Sequence, residues 1–283
     1  MYPPKFDYYR AGSVDEALAL RKEHGGKFLA GGHSLIPVMN LRLADPGALI
    51  DIGRLDDLRG ISVRDGMVMI GALTTHAMVA ASSDVPKALS EAASMIGDPQ
   101  VRNRGTVGGN VSHADPASDL PTVLTALGAK FRIAGPNGMR TVDAADFFTD
   151  LFETALGEDE LLIGVGLSPE GNGTGSAYAK LFNPASRYAM VGAAASVTMQ
   201  GNKCEAASVA VGGLTSKATA CPSVVAALVG QKLDDDAMAA AATAVANDLG
   251  DDVMGDIHAS ADYRRAMAPV FVKRALMSAA SRA

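Results

Sequence analysis

The sequence RGTVGGNVSHADPASD, residues 104 to 119, combines three glycines with a threonine, an asparagine and two aspartates, and it separates two regular segments of the chain. Backbone amides at a glycine turn can converge on an anion because no Cβ atom blocks the approach, and a following helix adds the positive end of its dipole. The stretch therefore indicates a ligand-binding loop. On its own, a single Gly-Gly pair is equally consistent with a plain tight turn.

A second glycine loop, AGGHSL at residues 30 to 35, precedes the first in the chain and follows a short apolar run typical of a buried strand. Its Ser34 offers a hydroxyl both to phosphate and to the start of the helix behind it. Thr106 and Asn110 offer similar donors at the edges of the later loop. Neutral donors on two sides suit a diphosphate, so we expect the two loops to hold opposite sides of one phosphate-bearing cofactor.

The first part of the chain predicts an α+β fold. Residues 1 to 55 have the pattern of a small α/β unit, in which a capping box from Ser13 to Glu16 starts a helix. Residues 56 to 175 contain alternating apolar strands, including a hairpin at Asp65-Gly66, and an irregular loop from 97 to 116. We expect residues 1 to 175 to form one domain with these two subdomains.

The last part of the chain predicts a second domain, residues 176 to 283, made of three antiparallel strands followed by helices. Gly171 to Ser176 is small and polar, as in a flexible linker. Asp234 to Asp236 precede an alanine-rich segment with high helix propensity. These aspartates are therefore better explained as a helix cap than as a metal site. Tyr263 to Ser281 is typical of a closing amphipathic helix.

Composition excludes several other classes of protein. A net charge of −6 without a basic stripe argues against nucleic acid binding. Cys204 and Cys221 are isolated, so zinc or iron-sulfur ligation by this chain is not expected. The sequence has neither a signal-peptide pattern nor an apolar run of membrane-spanning length, and we expect a cytoplasmic protein.

Side chains near the glycine loops suggest binding rather than acid-base catalysis. Asp115 and Asp119 can accept ribose or ribityl hydroxyls, and Asp119 is also placed to cap the helix that begins near Leu120. His33 and His113 lack a partner at helical spacing, so no metal is predicted. A GxSxG elbow is absent, and no catalytic side chain is predicted.

Four segments together resemble a known family, the FAD-binding medium subunits of molybdenum hydroxylases. These subunits include the medium subunit of aerobic carbon monoxide dehydrogenase, and the same module is fused within xanthine dehydrogenase. The resemblance covers nearly the whole chain in order. Its segments are AGGHSL at 30 to 35, RNRGTVGGNVSHADPASDLP at 102 to 121, DELLIGV at 159 to 165, and YAKLFNPASRYAMVGAAASV at 178 to 197.

The resemblance implies a vanillyl-alcohol-oxidase-like (PCMH-type) FAD fold of two α/β subdomains, followed by a domain with a three-stranded antiparallel sheet and helices. It places Ile96 toward the flavin ring and Asp119 toward the adenosine side. Arg187 stands before Tyr188 where many relatives have Asp, which is a departure from the family pattern. The implied FAD contacts are Leu29, Ala30, Gly31, Gly32, His33, Ser34, Leu35, Ile96, Thr106, Gly108, Gly109, Asn110, Asp119, Leu162 and Lys180.

The function implied by the resemblance is electron transfer through FAD. A molybdopterin large subunit and a 2Fe-2S small subunit would be the partners, in a dimer of heterotrimers, and the external acceptor is left open among NAD, a quinone, a cytochrome and oxygen. Two alternatives stay open: a stand-alone flavin oxidoreductase, and a non-redox protein that binds a phosphate metabolite.

Overall fold

The structure is a computed structural model that describes residues 2 to 283. The chain begins with a parallel three-stranded sheet in the order β1-β3-β2, and helices α1 and α2 form the crossovers between its strands. The α/β unit predicted for the first 55 residues is therefore confirmed. Its elements are β1 (Asp7–Arg10), α1 (Val14–His24), β2 (Lys27–Leu29), α2 (Leu35–Asn40) and β3 (Ala48–Asp51).

A five-stranded antiparallel sheet follows, in the order β4-β5-β10-β6-β7. The predicted hairpin at Asp65-Gly66 is confirmed as the turn between its first two strands. The strands are β4 (Ile61–Arg64), β5 (Met67–Gly71), β6 (Lys130–Gly135), β7 (Gly138–Asp143) and β10 (Leu161–Leu167), and a short hairpin is formed by β8 (Phe148–Asp150) and β9 (Glu153–Thr154).

Helices cover this second sheet and bury a core that includes Leu124, Phe131 and Phe147. A 3-10 turn spans Asp56–Leu58 ahead of the sheet. The helices are α3 (His76–Ala81), α4 (Lys87–Met95), α5 (Pro99–Arg104), α6 (Val107–His113), α7 (Asp119–Ala126) and α8 (Ala144–Phe147).

The last sheet is antiparallel, in the order β11-β12-β13-β14, and packs against the closing helices. The three predicted strands are present, and a fourth strand of two residues adds to the sheet edge. The elements are β11 (Thr174–Phe182), β12 (Ala189–Gln200), β13 (Lys203–Gly212), β14 (Thr219–Ala220), α9 (Pro222–Leu228), α10 (Asp235–Thr243), α11 (Val245–Leu249) and α12 (Ala261–Ala280).

Helix caps explain several of these boundaries. The Ser13 hydroxyl accepts a hydrogen bond from the amide of Glu16 at 3.1 Å, as the capping box predicts. Asp234 accepts from the amide of Ala237 at 3.0 Å, so this aspartate acts as a helix cap. None of the helices within residues 2 to 283 is both long enough and apolar enough to span a membrane.

Two local predictions are wrong. The segment from 97 to 116 is not an irregular loop, because Asp98 caps α5 and Thr106 caps α6 within it. Gly171 to Ser176 is not a free linker throughout, since β11 begins at Thr174. Gly175 packs so closely on the end of α12 that a Cβ atom there would overlap the carbonyl oxygen of Ala279.

Candidate functional site

The two glycine loops line one cavity of about 430 Å³ between the first and second sheets. This volume lies in the range of small-molecule and cofactor pockets. The sequence-predicted residues in the cavity wall are Leu29, Ala30, Gly31, Gly32, His33, Ser34, Leu35, Ile96, Thr106, Gly108, Gly109, Asn110 and Leu162. Predicted residues that lie far apart in the chain therefore meet at a single site.

The glycines allow the two loops to touch. A Cβ atom on Gly31 would overlap the carbonyl oxygen of Arg104, at the end of α5. A Cβ atom on Gly108 would lie 2.8 Å from the carbonyl oxygen of Ala72, which is closer than side chains pack. At these two positions glycine is required by close backbone approach, of Gly31 to the second loop and of Gly108 to the residue after β5.

The first loop presents unpaired amides. Within residues 2 to 283 the backbone N–H groups of Gly31, Gly32, His33, Ser34 and Leu35 donate to no acceptor. Gly32 has a φ of 76°, a left-handed conformation that turns the backbone at the middle of the loop. Successive free amides at a helix start form an anion-binding site, so this loop has the geometry for a phosphate group.

Ser34 stands at the cap position of α2, but its hydroxyl makes no capping hydrogen bond among the described residues. The prediction that Ser34 caps the helix is therefore wrong, whereas its predicted donation to phosphate stays a prediction. The hydroxyl is left beside the free amides and adds another neutral donor to the same wall of the cavity.

The second loop differs from the first, because its amides are already paired. The amide of Val107 donates to the carbonyl of Thr74 at 2.9 Å, and that of Gly108 donates to Ala72 at 2.7 Å. The Gly109 amide donates to the Thr106 hydroxyl at 3.1 Å. The prediction that both loops offer free backbone amides is thus wrong for this one, which shapes the opposite wall through close packing instead.

One side chain of the second loop keeps its donor group available. The Ser118 hydroxyl donates to Oδ1 of Asn110 at 2.7 Å, which fixes the orientation of that amide. The Nδ2 group of Asn110 donates to no acceptor in the described part of the chain, and Asn110 lies in the cavity wall. Asn110 therefore offers a neutral donor across the cavity from the first loop.

Apolar side chains form the rest of the wall. Leu162 is buried on β10, and Ile96 is half-buried directly after α4. Tyr188 is 45% exposed and lines both this cavity and a second cavity of about 310 Å³, which also contacts Asp115 and Arg264. Such surfaces can pack against the faces of a planar ring system.

Asp119 and Lys180 do not line the cavity. Lys180 Nζ lies 2.7 Å from Asp119 Oδ2, and the Tyr178 hydroxyl donates to Asp119 Oδ1 at 2.6 Å. Burial raises the pKa of Asp119 above its usual range, and the Lys180 ammonium opposes that rise. Burial and the neighbouring Asp119 raise the pKa of Tyr178, which stays protonated as the donor. Asp119 thus forms an internal ion pair with Lys180, and its contact with ribose hydroxyls stays a prediction.

His76 is a wall residue that sequence reasoning missed. Its side chain is 3% exposed, and its Nδ1 atom has no hydrogen-bond partner among residues 2 to 283. Burial, together with the nearby His33, lowers the pKa of His76 to about 4, so the imidazole is neutral at physiological pH. The available signal was its place right after the cap Thr75, as the first residue of α3.

The fold and the cavity define a flavoprotein subunit of a known type. Residues 4 to 168 match the family model described as the FAD binding domain in molybdopterin dehydrogenase. Residues 176 to 279 match the CO dehydrogenase flavoprotein C-terminal domain. The chain belongs to this family of FAD-binding medium subunits, as the four sequence segments predicted.

The chain aligns with individual relatives over nearly the full length of both proteins. The chain is 40% identical to the carbon monoxide dehydrogenase medium chain of Hydrogenophaga pseudoflava, covering 100% of this chain and 99% of that one. It is 37% identical to the glyceraldehyde dehydrogenase medium chain of Sulfolobus acidocaldarius, covering 99% and 100%.

Solved structures agree with this placement. A structure of carbon monoxide dehydrogenase from Hydrogenophaga pseudoflava superposes with a TM-score of 0.95 at 40% identity, covering 100% of this chain and 99% of that one. Quinoline 2-oxidoreductase from Pseudomonas putida 86 gives 0.93 at 31% identity, with 100% and 99% covered.

Proposed function

We propose that this chain carries FAD as the electron-transfer subunit of a molybdenum hydroxylase complex. The observation that carries the proposal is the row of free amides from Gly31 to Leu35, which faces the second glycine loop across one cavity. Arg21 and Lys27 also line the cavity, but the Arg21 guanidinium already donates to the carbonyl oxygens of Gly26 and Glu158. The proposed contacts to the diphosphate are therefore made mainly by neutral donors. The first loop supplies five of them in sequence, with Ser34 and Asn110 at the edges.

Bound FAD supplies the conversion between one-electron and two-electron transfer. The chain itself binds FAD, orients it and shields it from water. The close approach of Gly31 to Arg104 holds the first loop against the start of the second, and that of Gly108 to Ala72 holds α6 against the end of β5. Ile96 and Leu162 provide apolar surface for the ring system and keep water from it. Neutral His76 adds no charge near the site at physiological pH.

The proposal divides the chain at residue 175. Residues 1 to 175 would form the FAD-binding domain, with subdomains of about 1 to 55 and 56 to 175, and residues 176 to 283 the second domain. The matched family models meet near this position, since one ends at 168 and the next begins at 176. Limited proteolysis that releases two fragments separated near this point supports the division, and a single resistant unit opposes it.

The partners we propose are a molybdopterin large subunit and a 2Fe-2S small subunit, in a cytoplasmic dimer of heterotrimers. The relatives are named medium chains, which supports an assembly of several different chains. Electrons would enter from the small subunit and leave to an external acceptor. Co-expression of the three chains, followed by mass measurement of the purified complex, tests the composition and the copy number.

Flavin reduction separates this proposal from its alternatives. In the assembled complex, oxidation of the complex's substrate should bleach the flavin absorbance, whereas the isolated FAD-loaded chain should not respond to that substrate. Turnover by the isolated chain would favour a stand-alone flavin oxidoreductase. Failure of the chain to retain flavin, together with tight binding of a small phosphate compound, would favour a phosphate-metabolite binding protein.

A further inference from the structure

The segment Met95 to Gly97, at the carboxyl end of α4, has an unusual set of hydrogen bonds. Each of its three carbonyl oxygens accepts from a cationic side chain. Lys180 Nζ lies 3.3 Å from the carbonyl oxygen of Met95. One guanidinium nitrogen of Arg102 lies 3.0 Å from the carbonyl oxygen of Ile96 and 3.1 Å from that of Gly97.

Such contacts stabilise the end of a helix. The last carbonyls of an α-helix have no partner within the helix, and they carry the negative end of its dipole, which favours cations. Gly97 leaves the helix with a φ of 47°, and a Cβ atom there would lie 2.9 Å from Cβ of Val101. The chain therefore turns sharply at this point, and the cations hold the turn in place.

The Lys180 ammonium is itself fixed. Its side chain is 1% exposed and pairs at 2.7 Å with Asp119, whose side chain is 5% exposed. Asp119 lies at the start of α7, whereas Lys180 lies on β11 of the last sheet. One buried ion pair thus joins the last sheet, α7 and the end of α4. No exposed lysine could fix the position of the Met95 carbonyl in this way.

Ile96 is the middle residue of this segment, and it lines the cavity. We propose that Arg102 and Lys180 are positioning residues that fix Ile96 in the cavity wall and thereby set the affinity for FAD and the polarity around its ring system. The inference rests on the proposed function, because it concerns the same cofactor. Arg102 does not line the cavity and acts through the carbonyl oxygens of Ile96 and Gly97. Lys180, which the resemblance also counts among the FAD contacts, acts on the segment through the carbonyl oxygen of Met95.

Arg102→Met tests the proposal, with Arg104→Met as the matched control. Both arginines lie in the last turn of α5, but Arg104 is exposed and its side chain makes no hydrogen bond within residues 2 to 283. We expect FAD to dissociate from the full-length Arg102→Met chain about tenfold faster than from the wild type, from the loss of two charge-assisted hydrogen bonds. The flavin absorption band should also shift, because water reaches the ring. The control should stay within about twofold.

Arg102→Lys keeps the charge and should restore part of the affinity for FAD that Arg102→Met loses. The flavin spectrum should return toward that of the wild type at the same time. A role of Arg102 in folding alone would not change the two properties together. Equal dissociation rates and spectra for Arg102→Met, Arg104→Met and wild type would overturn the inference. If the wild-type chain itself retains no FAD, the proposed function fails instead, and the two failures are thereby distinguished.

A second pair of variants tests the Lys180 half without leaving an uncompensated charge. Lys180→Met alone isolates the buried Asp119, so the double variant with Asp119→Asn is used. The double variant should fold, release FAD faster than wild type and show the same shift of the flavin band as Arg102→Met. Retention and a spectrum equal to those of the wild type would contradict the role of Lys180. If Arg102→Met does not fold, Arg102→Lys decides the inference: faster FAD release with a shifted flavin band supports it, and values equal to those of the wild type overturn it.

Discussion

Replacing Gly109 with valine should weaken FAD binding about tenfold to hundredfold, so that the desalted chain loses flavin, while the fold stays intact. A Cβ atom at this position would lie 2.9 Å from the Thr106 hydroxyl and 3.9 Å from Cβ of Ala30 on the opposite loop. The added methyl groups would therefore occupy space between the two loops. Forcing extra methyl groups into a packed site costs about 1 to 3 kcal/mol, which corresponds to about tenfold to hundredfold weaker binding.

The effect of Gly109→Val on folding should be small, because two terms oppose each other. Valine is a better helix former than glycine by a few tenths of a kcal/mol. Disturbing the Thr106 cap, which accepts from the amide of residue 109, costs about 1 kcal/mol. Gly171→Val is the matched control, since no atom lies within 4 Å of a Cβ atom built on that residue.

The assay is the flavin absorbance that remains after FAD loading and desalting, beside the thermal unfolding midpoint. Gly109→Val should lose flavin, and its midpoint should fall by a few degrees at most. Gly171→Val should resemble the wild type in both measurements. Full flavin retention by Gly109→Val would refute the two-walled cavity, and a collapse of the unfolding midpoint would show that Gly109 serves the fold rather than the cofactor.

Three further predictions follow from the same structure. Ser34→Ala should weaken FAD binding about tenfold in a calorimetric titration and change the free energy of unfolding by less than about 0.5 kcal/mol, because its hydroxyl makes no capping bond; a large loss of stability would contradict this. His76 has a pKa of about 4 in the folded chain against 6.5 ordinarily, so the unfolded chain binds the proton more readily. The free energy of unfolding should therefore fall by about 3 kcal/mol as the pH drops from 6.5 to 4, and this part of the slope should vanish in His76→Phe; equal slopes in urea unfolding would oppose it. Lys180→Met should lower the free energy of unfolding by about 3 to 5 kcal/mol by leaving Asp119 unpaired, and adding Asp119→Asn should restore part of it, which denaturant titration measures.

Local signals in the sequence predicted much of the fold. The capping box at Ser13, the turn at Asp65-Gly66 and the cap at Asp234 each act within a few residues of their own position, so their outcome can be read from neighbours in the chain. Helix α6 was missed because Gly108 and Gly109 lie inside it. Glycine is a poor helix former, and only tertiary packing against Ala72 accounts for its use there.

The cavity wall could be predicted in outline and not in its hydrogen bonding. The amides of Val107 and Gly108 are paired with carbonyls about thirty residues earlier, and no local pattern indicates such partners. Asp119 and Lys180 likewise form an ion pair across 61 residues of sequence, and no local pattern indicates this pairing. Partners of this kind depend on the strand order of the sheets.

The most direct test of the account is the FAD content of the purified full-length chain after loading with FAD and desalting. Flavin absorbance and protein concentration together give the stoichiometry. We expect one bound FAD per chain, with a spectrum distinct from that of free flavin. A desalted chain that carries no flavin, while its circular dichroism shows it to be folded, would contradict the assignment of the two glycine loops as the walls of an FAD site.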